Sequence, residues 1–213
     1  MTQPRPARAK TAGERQRQPT EIRRGLIAEA ARGVIAERGP FGTTMRDIAM
    51  AGGVSLGTVT YHFTGIAEIL AHVLQGEMDS FYLPIAERAH AAPDAVTGIR
   101  VLIDGFFADD QRTVQHWRLW LDFWSLSAHD PTHARWQESA YELWRTDVRK
   151  VLERGVASRE FRVAELDVAM ADFLVTFDGL AVQAYLPGSK IGPAQAREYL
   201  RGWVERRLMT ADS

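Results

Sequence analysis

The chain has 213 residues, a net charge of −1 and no cysteine. That length suits one large domain or a small one joined to a larger one. The missing cysteine excludes disulfides and thiolate catalysis, and it fits a reducing cytoplasm. No uninterrupted apolar run of about 18 residues is present, so neither a transmembrane helix nor a membrane partner is expected.

The first segment, 1–19, is rich in Pro, Arg, Gln and Ala and has no apolar period. It reads as a disordered basic arm, able to touch DNA phosphates or to hang free. No apolar stretch follows its arginines, so a secretory signal is not expected. Thr20 caps the first clear helix, whose apolar face carries Ile22, Leu26, Ile27, Ala30, Val34 and Ile35; Gly39-Pro40 ends it.

The stretch Thr43–Phe63, TTMRDIAMAGGVSLGTVTYHF, follows. Thr43 or Thr44 supplies the cap of a short helix in which Met45, Ile48 and Ala49 form one stripe. Gly52-Gly53 stops that helix, because glycine takes the left-handed conformation without a steric penalty. Val54 plugs the turn and Ser55 caps the next helix. Leu56, Gly57, Thr58, Thr60 and Tyr61 lie on its outward face; Val59, His62 and Phe63 can turn inward. Two short helices across a glycine turn, the second with a small N-terminal end and hydroxyls, form a helix-turn-helix able to enter a major groove. The candidate DNA contacts are Thr43, Thr44 and Arg46 on the first helix. On the second they are Ser55, Leu56, Gly57, Thr58, Thr60, Tyr61 and His62. A helical hairpin in a bundle has the same spacing.

Charge supports the DNA reading. Residues 1–65 hold ten Arg/Lys against five Asp/Glu, while residues 66–213 hold sixteen against twenty-two. The basic end faces DNA and the remainder is acidic. A solvated basic tail without a partner would give the same split.

Everything beyond also reads as helix: about 66–91, 95–108, 111–128, 131–158, 165–186 and 193–208. Pro93-Asp94, Pro131 and Leu186-Pro187-Gly188 punctuate these segments. No stretch alternates as a strand would. The fold class is therefore all-α, with a helix-turn-helix domain over 20–64 and a larger antiparallel helical domain over 65–213, about nine helices in all.

The larger part carries a second candidate site. Trp117, Trp120 and Trp124 share one helix face, with Phe123 beside them and Trp144 in the next helix. Asp178 interrupts an apolar helix that also carries Tyr185. An aromatic wall with one carboxylate suits a quaternary ammonium or a polyamine through cation–π attraction. Alternatively the tryptophans are ordinary core and Asp178 pairs with an arginine such as Arg118 or Arg145.

Enzyme signatures fail: there is no G-x-S-x-G, no P-loop and no dinucleotide fingerprint. His129 and His133 have the spacing of a metal pair, but Pro131 between them disfavours a continuous helix, so no metal and no cofactor is expected. A helical carrier that no longer binds DNA, or a helical enzyme without a recognisable motif, remains the alternative.

The stretch around 20–70 resembles TetR-type transcriptional regulators. The residues carrying the resemblance are Ala30, Gly39, Thr43-Thr44, Ile48-Ala49, Gly53-Val54-Ser55, Gly57-Thr58-Val59 and His62-Phe63. Two positions depart from that pattern: Ile66 replaces a common phosphate-touching lysine, and Thr60 stands where many members have tyrosine. In the second half, Trp120-Leu121-Asp122-Phe123-Trp124, His129-Asp130-Pro131 and Phe177-Asp178-Gly179-Leu180 are similar to the BetI-like, choline-responsive branch. The resemblance implies a cytoplasmic homodimer on a palindromic double-stranded DNA operator, released by a small-molecule effector. Pairing would use the last two helices, with Phe173, Leu180, Tyr199, Leu200 and Trp203 as candidate contacts. The same apolar residues would serve an intrachain core equally well.

Overall fold

The computed structural model describes residues 20–209, and the basic arm 1–19 lies outside them. Ten α-helices and two π-helical turns make up the described residues, with no strand among them. They are α1 (Thr20–Arg38), α2 (Met45–Ala51), α3 (Leu56–His62), α4 (Ile66–Glu77), α5 (Leu83–Ala91), α6 (Ala95–Phe106), α7 (Gln111–Ser127), α8 (Pro131–Ala157), α9 (Leu166–Tyr185) and α10 (Pro193–Val204). One π turn, Met78–Tyr82, joins α4 to α5 without a break; the other, Glu205–Met209, extends α10. Counting 66–91 once gives the nine rods expected.

The helix starts follow local chemistry. Thr44 and Asp47 form a reciprocal capping box, with Asp47 N–H donating to Thr44 Oγ1 (3.2 Å) and Thr44 N–H to Asp47 Oδ2 (2.9 Å). Ser55, Asp94, Asp110 and Asp130 cap α3, α6, α7 and α8 by accepting from backbone N–H groups of the first turn. Pro131 opens α8, which leaves His129 outside that helix. Gly39 (φ 70°) ends α1 and Gly53 (φ 60°) turns the chain between α2 and α3.

Periodicity does not show the π turn at Met78–Tyr82. Pro84 has no N–H, and its ring would collide with the carbonyl four residues earlier in a regular helix. The chain widens instead, with Leu83 N–H donating to Met78 O.

α1, α2 and α3 pack on one another, and α1 also packs along α4, through Ile27, Ala31, Ile35, Ile48, Val59, Ile69 and Leu70. The larger core lies between α5 to α10 and is rich in rings, with Phe106, Phe107, Trp117, Trp144 and Phe177 in mutual contact. By length and composition alone α9, Leu166–Tyr185, is long and apolar enough to cross a membrane. Its buried residues Phe173, Leu174, Phe177, Ala181 and Tyr185 join the core instead. Phe173 and Leu200 are completely buried within the chain, which corrects their expected place as dimer contacts. Trp203 is half-buried against Phe173 (5.5 Å between ring centres), Leu180 is half-buried and Tyr199 is exposed.

Candidate functional site

The helix-turn-helix is held from behind. Val59 and Phe63 anchor α3 in the core. The Arg24 guanidinium lies 4.1 Å from the Phe63 ring centre, pairs with Glu68 (3.0 Å) and donates to the carbonyl of His62. One α1 side chain thereby fixes the C-terminal end of α3, a role the sequence reading missed.

The outward surface carries Thr44, Arg46, Ser55, Leu56, Gly57, Thr60 and Tyr61, all exposed, with Tyr61 82% exposed. Thr58 is half-buried and shares a 2.8 Å hydroxyl contact with Ser55. Thr60 turns its hydroxyl back to the carbonyls of Leu56 and Gly57. His62 is half-buried, with an unpartnered Nδ1. Thr43 departs from expectation: it is buried, and its hydroxyl donates to Gly39 O (2.8 Å). Its hydroxyl locks the turn before α2 and does not reach outward. At the start of α4, Glu68 Oε2 already accepts from Thr64 N–H and Oγ1 (2.8 Å each). A carboxylate therefore occupies part of an end otherwise suited to phosphate.

The second site is a cavity of about 60 Å³ among the larger domain's helices. A single water needs about 10–15 Å³ by this measure, so the space suits a compact group. Trp117, Trp120 and Trp124 of α7 line it with Trp144 of α8, and Asp178 of α9 lies in the same wall. Periodicity had placed the three α7 tryptophans on one face, and Trp144 and Asp178 were named with them from other helices. Tyr141, Phe106, Phe177, Met78, Tyr82 and His116 also line it and were not foreseen. Phe123 lies behind the wall, edge-on to Trp136 (5.1 Å). Tyr185 also lies behind it, stacked on Trp117 (5.8 Å), with its hydroxyl donating to Phe106 O and Ala108 O.

Asp178 forms no ion pair with any described residue. Tyr141 OH donates to its Oδ2 (2.8 Å). Arg145, one expected partner, instead pairs with Glu138 (2.7 Å) and Glu142 (2.6 Å) and lies over the Tyr141 ring (5.5 Å). Burial pushes the Asp178 carboxyl up to about 6, against the lowering effects of the Tyr141 hydrogen bond and the charge of Arg145. A carboxylate in this cage lacks the cation that would offset its desolvation, and indole and phenol rings favour the same charge.

An all-helical chain with a helix-turn-helix at one end and an aromatic-lined cavity at the other has the build of a transcriptional regulator. Residues 27–73 match bacterial regulatory proteins of the tetR family, and residues 95–209 match the C-terminal domain of BetI-type transcriptional repressors. The chain belongs to this BetI-type group of TetR-family regulators. It is 26% identical to the HTH-type transcriptional regulator BetI of Stenotrophomonas maltophilia over 191 residues, covering 89% of this chain and 95% of that protein. BetI from Escherichia coli is 26% identical over 193 residues, with 89% and 95% covered. A regulator from Saccharomonospora viridis, solved in complex with choline, superposes with a TM-score of 0.83 at 24% identity, covering 91% of this chain and all of that one. A TetR regulator from Haloarcula marismortui does so with 0.78 at 18%, covering 88% and 99%.

Proposed function

We propose that this regulator is a cytoplasmic repressor that binds a palindromic operator as a homodimer and releases it when a small organic cation enters the cavity. One observation carries the reading: a half-buried carboxylate without an ion-pair partner among the described residues stands in a wall of four tryptophans and two tyrosines. The choline in the Saccharomonospora neighbour is of the same chemical class. A quaternary ammonium head fits better than a polyamine, because one carboxylate balances one charge and the cavity is compact.

On the DNA side, Arg46, Thr44 and Ser55 serve the phosphates, while Gly57, Thr58, Thr60 and Tyr61 meet base edges or sugar. Pairing uses a face of α9 that the chain leaves open. Val168, Ala171, Val175 (73% exposed), Gly179 and Leu186 recur along it, with Tyr199 of α10 nearby in sequence to Trp203. Effector release requires the cation to bind the DNA-incompetent arrangement more tightly.

Calorimetry with choline and with its uncharged carbon isostere, 3,3-dimethylbutan-1-ol, tests the cavity reading. Choline should bind and the isostere should bind at least about tenfold more weakly, a difference of roughly 1.4 kcal/mol. Equal affinity, or no choline binding, overturns it.

A further inference from the structure

Between the two sites lies a buried ionic cluster that neither site requires. Glu77 is the last residue of α4, and its side chain is 1% exposed. Its Oε1 accepts from Arg32 Nε (2.6 Å) on α1; its Oε2 accepts from Arg112 Nη1 (2.6 Å) and meets His116 Nδ1 (2.9 Å), both on α7. Arg32 also donates to Gln115 (2.9 Å).

We infer that Glu77 is the positioning residue through which occupation of the cavity reaches the DNA-binding helices, by way of His116 on one side and Arg32 on the other. This rests on the cavity being the effector site.

Three features support the assignment. His116 lines the cavity while its other side holds Glu77, so its ring touches both. Glu77 directly precedes the π turn, and two residues of that turn, Met78 and Tyr82, are themselves cavity wall. A π turn between two α-helices is a place where helical register can change with little loss of hydrogen bonding. On the other side, Arg32 lies on α1, the helix whose Arg24 grips the end of α3. Displacing a ring in the cavity therefore moves a carboxylate held by α1, and α1 holds the recognition helix.

The charges favour a stiff connection. Burial alone would raise the Glu77 carboxyl, but hydrogen bonds from His116, Arg112 and Arg32 outweigh it and hold the group at about 2. His116 is kept low by burial, despite its bond to Glu77. We assign a neutral imidazole donating from Nδ1 and a carboxylate balanced by the two arginines. A buried charge with short bonds to three side chains cannot drift from one without loosening the others.

The test uses the full chain and the DNA segment upstream of its own gene. DNA affinity is measured by fluorescence anisotropy with and without choline chloride. Wild-type affinity should fall by about fivefold or more on adding choline, within the usual range of coupling between sites. E77Q and R32M should still bind choline and DNA separately but respond less than about twofold. R112M, which loosens the cluster but leaves the Arg32 contact to α1 in place, should keep a larger response than R32M. If E77Q does not fold, R32M decides. R32M responding like wild type overturns the inference.

A second readout needs neither effector nor DNA. H116Q should speed amide hydrogen exchange in residues 20–62, and R32M should abolish that increase. No increase, or an equal increase in both backgrounds, overturns the inference. Choline having no effect on wild-type DNA binding defeats the proposed effector, while the exchange result still judges the relay.

Discussion

Replacing Asp178 with Asn should stabilise the protein and weaken its effector site at once. The Asp178 carboxyl is half-buried, bonded only to Tyr141 OH among the described residues, and raised from 3.8 to about 6. An acid whose folded pKa lies above its unfolded value binds more protons when folded, so its ionisation destabilises the fold as pH rises through that window. A rise from 3.8 to about 6 corresponds to a cost on the order of 3 kcal/mol at pH 7.5. Below pH 3.8 the effect vanishes, and at pH 5 about half remains. Asn keeps an acceptor for Tyr141 and carries no charge. D178N should therefore gain up to about 3 kcal/mol near neutrality, or roughly 6–12 °C in Tm for a chain of this size. The gain should shrink by about half at pH 5. Urea unfolding at the two pH values, without effector, measures it. Choline affinity should fall at least about tenfold in the same variant. A D178N protein no more stable than wild type at pH 7.5, or with a gain that grows on acidification, would refute the unpaired-carboxylate argument.

Other perturbations probe the remaining parts. T58A and Y61A should each weaken operator binding by about tenfold or more, on the scale of roughly 1–3 kcal/mol per base-reading contact, with unchanged circular dichroism. Loss of helicity would assign them to folding instead. R24M removes the ring stack, the Glu68 pair and the bond to His62, and should cost about 1–3 kcal/mol of thermal stability together with DNA affinity. V175R places a charge on the open face of α9 and should convert a dimer to a monomer in analytical ultracentrifugation, with helix content intact. An unchanged dimer moves the interface elsewhere. Effector binding should also strengthen as pH rises through about 6, because only ionised Asp178 attracts a cation. Calorimetry in choline from pH 5 to 7.5 reads this directly.

Elements set by local chemistry were legible in the chain. The Thr44 and Ser55 caps, the Gly52-Gly53 turn and the Pro131 start act within four residues, and each falls where periodicity and capping place it. Helix-to-helix register was not legible. Trp117, Trp120 and Trp124 share a face by spacing alone, but Tyr141 joins them only because α8 runs back across α7. Phe123 is on that same helix, yet it faces Trp136, behind the wall. Phe173 and Leu200 show the same limit, since an apolar stripe does not reveal whether its own chain or a second copy covers it. Thr43 was misread because its hydroxyl reaches a carbonyl freed by the left-handed Gly39. A signal for Glu77 was present: it lies four and seven residues beyond Val73 and Leu70, on the buried face of α4. A carboxylate on a core face needs partners, and the structure supplies three.

In the proposed regulator, a DNA-reading helix pair and a cation cage in one molecule oppose each other. The direct measurement is the affinity of the full-length protein for labelled operator DNA, titrated with choline at constant ionic strength. Choline should weaken DNA binding with half-effect near its own calorimetric Kd, and D178N should shift that half-effect upward by about tenfold or more. DNA binding that is indifferent to choline while the cavity is saturated would contradict that opposition.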